Sequence, residues 1–465
     1  MSKKYVFIDW SNVEAGYGTP WVSNPQPMIA PWGIKIKVHK PRVCPHAVML
    51  PEHPWEQTCI NCYATFLKID GVIRVWYEAI PKEEPNGDTD MSSLLCYAES
   101  TDGVHFTKPN LGLVEYKGSK ENNILKNVHG TSVLYDKNAP EEERYKLIWV
   151  RYHRNPKGNR TVIHGAVSPD GIHWTDVSEE PILDNPGDTQ NILTVNDQGE
   201  YAIYTRQVRG YPWRRRSISV SRSTDFRHFP KPTMLLHSDP NDPPDWDYYT
   251  SGYHRWPGAD NAHLMLIDMY HRIKDTFDVH LATSCDGTIW YRPLGQEPYL
   301  ATGEPGDYDS MTVSSTNGIV DMGDGTWNLY IMTSPRGHND DRVDYPHLPY
   351  GGYWKATLRE DGFTSLSADT RGEFHTLPLT FEENFLQVNA AVPNRGYVKV
   401  GIYDTKTLQQ VEGFTAEDCD PLERGKVWQT VSWRGNSDLT PLLQDKKRYR
   451  LRFEMFKSDL YAFKI

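Results

Sequence analysis

One short pattern recurs along this chain and limits what it can fold into before any chemistry is considered. Ser100-Thr101-Asp102-Gly103-x-x-Phe106, Ser168-Pro169-Asp170-Gly171-x-x-Trp174 and Ser284-Cys285-Asp286-Gly287-x-x-Trp290 are clear copies. Ser223-Thr224-Asp225-x-x-x-Phe229 lacks the glycine, and Glu360-Asp361-Gly362-Phe363 is a degenerate fifth. Each copy follows one strand-like run and precedes another, so it reads as a tight hairpin in which Asp-Gly supplies positive φ and the aromatic packs back. A hairpin recurring at intervals of 55 to 75 residues is the pattern of a β-propeller with one four-stranded sheet per repeat. Five repeats predict five blades.

The runs rich in Val, Ile, Tyr and Trp, bounded by Gly, Pro, Asn or Asp, give four strands per blade. The first blade is expected at 57–68, 72–79, 92–100 and 104–108, and the second at 129–136, 145–153, 161–168 and 172–176. The third follows at 188–196, 200–206, 216–223 and 227–233; the fourth at 247–256, 262–270, 277–284 and 289–293. The fifth is expected at 309–320, 326–333, 351–358 and 362–366. Residues 1–50 form a closing segment within a propeller spanning 1–379, since an open ring would leave an unpaired edge. From 380 the pattern stops and the strands become more regular, predicting a β-sandwich over 380–465. The fold class is all-β.

Composition narrows the function classes. A net charge of −11 argues against nucleic acid or an anionic membrane as partner. No apolar run reaches the length that spans a bilayer, and the first ten residues contain no apolar leader core. Six cysteines include one Cys59-x-x-Cys62 pair with no second pair to complete a zinc site, so they read as buried thiols. Both features point to a cytoplasmic location. The 15 Trp and 27 Tyr suit blade packing, and a few of them suit stacking on sugar rings.

Strand order then selects a face. In an up-and-down blade, the start of the innermost strand and the end of the second strand meet at one mouth of the central channel. The Asp-Gly turns lie on the opposite face, where their aspartates bind their own loops. Innermost strands begin near Glu56, His129, Asp188, Asp247 and Asp309, and second strands end near Glu78, Arg206, His271-Arg272 and Arg336. The long loops 79–91, 207–215 and 335–350 leave from this same face. Four acids converging on one opening match the needs of glycosidic cleavage, where one carboxyl protonates the leaving oxygen and another activates water or attacks the anomeric carbon. Crowded like charges raise at least one carboxyl pKa.

The expected catalytic set is therefore Glu56, Asp188, Asp247 and Asp309. Asp188 and Asp309 stand in glycine-containing loops that allow close backbone approach. His129, which occupies the innermost position where the second blade lacks an acid, reads as a proton donor, a ligand or a hydrogen-bonded structural histidine. Arg206, His271, Arg272 and Arg336 are expected to grip substrate, with Trp246 and Tyr248 offering ring faces. No cofactor is specified; a divalent cation such as calcium could sit in the channel among these oxygens, although no spacing specifies one.

Five blades with acids at the channel mouth resemble the five-bladed glycosidase superfamily that includes glycoside hydrolase families 32, 43, 62, 68 and 117. The phrases Leu95-Cys96-Tyr97-Ala98-Glu99-Ser100-x-Asp102-Gly103 and Glu143-Arg144-Tyr145-Lys146-Leu147 resemble a bacterial group of family-32-like glycosidases. So does the tail, from Gly413-Phe414 through Glu417-Asp418-Cys419-Asp420 to Leu460-Tyr461-Ala462-Phe463. The resemblance implies a glycoside hydrolase acting on a furanoside or another unusual sugar. Two family-32 motifs, Trp-Met-Asn-Asp-Pro-Asn and Arg-Asp-Pro, are absent, and Pro54-Trp55-Glu56 stands where the first acid is expected. Fructose specificity is accordingly not implied. The expectation is an exo-acting glycoside hydrolase on oligosaccharides or glycosides. The rival readings are a carbohydrate-binding propeller without catalysis and a polysaccharide lyase using a histidine, a tyrosine and Arg206.

Overall fold

In the computed structural model, the described residues are 3–16, 30–82, 93–153, 160–184, 187–196, 198–208, 214–339, 350–422 and 424–465. They are almost entirely β; helical structure is confined to four 3-10 turns, none long and apolar enough to cross a membrane. The alternation of buried apolar positions is what makes these runs strands, and antiparallel pairing follows from the short turns between them.

The first repeat pairs Cys59–Ile69, Val72–Ile80, Leu94–Ser100 and Ile124–Lys126 in sequence order. The second pairs His129–Tyr135, Tyr145–His153, Arg160–Ser168 and Thr175–Asp176. The third pairs Ile192–Val195, Tyr201–Val208, Arg216–Ser223 and Thr233–Leu236. In the fourth, Trp246–Thr250 and Tyr253–Arg255 pair with His263–His271, which pairs with Thr276–Ser284. The last runs from Thr312–Ser315 through Thr326–Ser334 and Tyr353–Arg359 to Arg42–Met49, the N-terminal segment.

Apolar cores lie between successive repeats rather than within any one. Val133 and Trp149 pack on Trp76 and Leu95; Ile148 and Ile163 on Leu193 and Ile203; Tyr204 on Met265 and Ile267. Leu264 and Leu281 then meet Leu329 and Ile331, and the circuit returns where Tyr330 and Tyr353 pack on Ile60 and Val75. Two parallel bridges, Thr65 to Asn317 and Ile60 to Gly351, join the last repeat to the first.

Several strand expectations need correction: the run 289–293 forms no strand beyond a single bridge from Tyr291 to Thr283, and 227–233 gives way to Thr233–Leu236. The outer strand of the first repeat is Ile124–Lys126, not 104–108. The outer strand of the last is Arg42–Met49, from the N-terminal segment, which pairs with Tyr353–Arg359. The run expected to complete it, 362–366, belongs instead to Thr364–His375 in the C-terminal sheet. That sheet therefore begins about fifteen residues before the expected boundary of 380, and it also takes in Lys4–Val6 and Lys35–Val38 from the N-terminal segment. Its spine is Tyr449–Lys464, which pairs along its length with Thr364–His375, Gln387–Ala391, Tyr397–Asp404 and Lys4–Val6.

The repeated turn is also not a two-residue hairpin. Only its glycine has positive φ; Asp102, Asp170 and Asp286 do not. Asp102 accepts backbone N–H groups from Val104 and His105, each at 2.8 Å, while Ser100 Oγ accepts from Gly103 N at 2.9 Å. Ser168–Asp170 and Ser284–Asp286 repeat this arrangement. The glycine is needed for a second reason. A Cβ on Gly171 would lie 2.6 Å from the Trp76 ring of the preceding repeat, and one on Gly103 would lie 2.7 Å from Tyr330 Oη of the last. These two turns dock on neighbouring repeats.

The degenerate fifth copy works differently. Asp361 is fully buried and accepts from Lys4 Nζ and Trp256 Nε1, each at 2.8 Å, and from Asn389 Nδ2 at 3.3 Å. These partners come from the N-terminal strand, the fourth repeat and the C-terminal sheet. Removing one member of a buried ion pair leaves the other uncompensated. We expect Lys4→Met to lower unfolding free energy by about 3 kcal/mol, read by urea denaturation. A loss below about 0.5 kcal/mol, the range of ordinary surface substitutions, would show that this pair does not hold the three segments together.

Candidate active site

The mouth where innermost strands begin and second strands end holds a cavity of about 370 Å3. Asn61, His129, Asp188, Tyr249 and Ser314 line it from the innermost side, and Ile80, Tyr152, Ser334 and Arg336 from the ends of second strands. Tyr63, Asp268, Thr312, His338 and Tyr350 add to the polar lining. A larger groove of about 590 Å3 lies between the N-terminal strand and the Asp286 turn; among the described residues its carboxylates are Asp260 and Asp286. Of the loops expected around the mouth, 83–91, 209–213 and 340–349 lie outside the described residues.

Asp188 is the one member of the expected acid set that lines the cavity. It precedes the third repeat's innermost strand, half-exposed and ion-paired with the buried Arg206. Gly187 permits this approach: a Cβ there would lie 2.6 Å from the Arg206 carbonyl oxygen. Tyr152 Oη donates to Asp188 at 3.4 Å, and the Arg206 guanidinium sits 4.1 Å from the Tyr249 ring centre.

His129 also lines the cavity, and its partner is an acid outside the expected catalytic set. Glu78, buried at the end of a second strand, accepts from Gly130 N at 2.8 Å and Asn61 Nδ2 at 3.1 Å. His129 Nδ1 lies 3.1 Å from the same Glu78 Oε1. Burial depresses the imidazole pKa, but the charge and hydrogen bond of Glu78 outweigh it, so the net shift is upward. Because Nδ1 is engaged, Nε2 is the nitrogen that can pass a proton to a ligand.

The second acid that lines the cavity is Asp268, from the middle of a second strand. Burial pushes its carboxyl up to about 7, against hydrogen bonds from Ser315 N, Thr250 Oγ1 and Ser315 Oγ. Across the mouth, Tyr249 Oη and His338 Nε2 are 3.1 Å apart. Burial and the nearby Arg216 and Arg206 charges, against the pull of Asp275, hold the His338 pKa below its ordinary value, which favours a neutral ring in this hydrogen bond.

The other expected acids are placed elsewhere. Glu56 is buried in a 3-10 turn, where it accepts from Tyr77 Oη at 2.5 Å, Glu52 N at 2.7 Å and Lys108 Nζ at 2.9 Å. Its role is to fix the turn that leads into the first strand. Asp247 does open an innermost strand, but its carboxylate pairs with Arg216, 2.7 Å away, and Arg272 at 3.5 Å. Tyr249, two residues on, reaches the cavity instead. Asp309 sits in the loop before Thr312–Ser315 and does not line the cavity. Burial and the neighbouring Asp307 raise its pKa.

Of the expected substrate-binding residues, Arg336 lines the cavity, stacked 4.3 Å from the Tyr350 ring centre. Arg206 acts one layer back, through Asp188. Arg272 is bound to the Pro244 and Asp245 carbonyls, and Tyr248 is buried with its hydroxyl donating to Asp242. Trp246 packs edge-on to His271 and His280. Strand alternation sends Trp246 and Tyr248 to the face opposite Tyr249, and Arg272 lies in the turn after His271. Among the described residues, the only cluster of three or more potential metal-ligating side chains is His271, Asp278 and His280, outside the cavity. No such cluster stands where a channel calcium was expected.

No family model matches this chain, and no curated protein matches it. Solved structures do. A "Glycoside hydrolase" is similar over 68% of this chain and 92% of its own, at 12% identity and a TM-score of 0.49. The catalytic domain of a Coprinopsis cinerea GH62 α-L-arabinofuranosidase covers 69% and 97%, at 15% identity and 0.45. The Bombyx mori GH32 β-fructofuranosidase spans 90% and 94%, at 10% identity and 0.44. At such identities and scores they carry no argument about activity, which rests on the residues of the cavity.

Proposed function

We propose that this protein is an exo-acting glycoside hydrolase, a five-bladed β-propeller with a C-terminal β-sandwich, that removes a terminal sugar from an oligosaccharide or glycoside. The observation that carries the reading is the pairing, around one cavity, of a cation-backed carboxylate with an acid-backed imidazole. Asp188 beside Arg206 is the group that activates water or attacks the anomeric carbon; His129⁺ beside Glu78 is the group that protonates the leaving oxygen. Glu78 is a positioning residue: it fixes the ring through Nδ1 and holds its proton. Asp268, neutral below about pH 7, adds no second negative charge to the cavity under mildly acidic conditions. A pocket of this size receives a chain end better than the middle of a polymer. A furanoside or another unusual sugar is the proposed substrate class.

One observation favours a second reading. Tyr249 hydrogen-bonded to a neutral His338, with Arg206 against the same ring, is also an arrangement that could abstract a proton beside a uronate in a lyase.

Two measurements separate these. On a panel of oligosaccharides and aryl glycosides, Asp188→Asn and His129→Gln are each expected to lower kcat by about 10²–10⁴-fold, with a monosaccharide as the released product. Products bearing a new carbon–carbon double bond, seen by ultraviolet absorbance, would establish the lyase. Glycan binding unchanged in both variants, with no product from any of the three proteins, would establish a binding module.

The second is a pH profile. Protonated His129 must be present to donate, so kcat/KM should fall as pH rises through its raised pKa. Glu78→Gln removes the charge that raises it and leaves the burial that lowers it. The alkaline limb should therefore move to lower pH, by about one unit or more. A uniform loss of rate with an unmoved limb would reduce Glu78 to a structural role.

A further inference from the structure

Behind the fourth repeat's share of the cavity, three side chains converge without satisfying one another. His271 ends the strand His263–His271, while Asp278 and His280 alternate on the next strand, Thr276–Ser284. The register sets Asp278 opposite Met269 and His280 opposite Ile267, so all three side chains share one face. Phe277, on the opposite face of the same strand, lines the cavity. The cluster is thus separated from the cavity by the sheet itself.

His271 Nε2 lies 3.0 Å from Asp278 Oδ2, and His280 Nε2 lies 3.1 Å from Asp278 Oδ1. Neither contact has hydrogen-bond angles: Nε2 of both rings and Asp278 Oδ1 have no hydrogen-bond partner among the described residues. This is unusual for groups so enclosed, since His280 is 1% exposed and His271 7%. Buried polar atoms are nearly always satisfied. One ligand atom from each residue lies within 4.8 Å of the others, close enough for a single ion to touch all three. Trp246 covers the two imidazoles, with its ring centre 4.7 Å from that of His271 and 5.3 Å from that of His280. Asp278 retains 15% side-chain exposure, which provides an entry path.

We propose that His271, Asp278 and His280 form a metal site for a divalent transition ion of the Zn2+ class. Two imidazoles and one carboxylate favour such an ion over Ca2+ or Mg2+, which take oxygen ligands. Three protein ligands leave at least one position for water. The ion ties the two strands together next to the turn at 272–275. From that turn, the Asp275 carboxylate accepts from Asn339 N at 2.8 Å and its carbonyl accepts from His338 N. The site therefore braces the segment that carries His338 into the cavity. It does not depend on the proposed hydrolysis.

The test uses the full-length chain, stripped with a chelator and titrated with ZnCl2 by calorimetry, with thermal melts run in parallel. One equivalent of Zn2+ should bind and raise the melting temperature. His271→Gln and Asp278→Asn should each weaken binding by about 100-fold or more while keeping the native circular dichroism spectrum. His280→Gln is the most enclosed of the three and is judged only if it folds. Co2+ should give visible absorption in the wild type that both folded variants lose, and excess Ca2+ should not displace it. Absence of Zn2+ binding by the folded wild type would overturn the proposal. So would binding of equal affinity in the wild type, His271→Gln and Asp278→Asn.

Discussion

A lysine and an aspartate, 357 residues apart in sequence and both buried, hold the architecture at its seam. Lys4 and Asp361 bring together the first strand of the chain, the turn that ends the last repeat, and the start of the C-terminal sheet. Around them Arg359 binds Asn389 Oδ1 and the carbonyls of Ala390 and Lys426, and Trp428 Nε1 donates to Glu360. The ion pair is stabilising only because Trp256 and Asn389 supply the remaining hydrogen bonds to Asp361. Apolar residues of similar size could hold such a seam as tightly. The polar version also specifies which three segments meet there.

The site depends on this seam through the inner strands. Those strands are polar where they face one another: Thr65, Ser132, Gln190, Thr250, Ser315 and Asn317 are all buried. They are satisfied across repeats, as when Gln190 Nε2 donates to the carbonyls of Ala64 and Thr131, or Thr65 Oγ1 accepts from Val133 N. Buried polar groups of this kind fix register, since a slip of one residue would orphan several at once. The placements of His129, Asp188 and Tyr249 follow from that register. Glu78 and Arg206, on second strands, then stand behind these groups, Glu78 raising the His129 pKa and Arg206 pairing with Asp188.

Much of this was legible in the sequence, for identifiable reasons. Turns built on Ser-x-Asp-Gly mark strand ends locally, so second strands such as Tyr145–His153 and Thr326–Ser334 could be placed to within a residue or so. Outer strands pair by competition among distant segments, and Arg42–Met49 displaced the local candidate in a way that no local pattern signals. At the site, strand order brought Asp188, His129 and Arg336 to one mouth, and all three line the cavity there. Which way a carboxylate turns depends on the nearest cation. Arg216 captures Asp247 and Lys108 captures Glu56, and neither cation is near its acid in sequence. Glu78 was visible as the end of a second strand, but its link to His129 exists only across two repeats. Asp268 sits mid-strand in an apolar run and gave no signal.

The displaced outer strand has a consequence for how the molecule is made. Arg42–Met49 is synthesised before any of the repeats, yet its partner, Tyr353–Arg359, comes about three hundred residues later. Until then its backbone donors and acceptors have no native partner, and the first repeat lacks the neighbour that buries Ile60 and Val75. Ring closure is therefore a late, long-range event in which loop entropy is overcome all at once. During synthesis the growing chain carries an open sheet edge at each end, the condition under which strands pair with the wrong molecule.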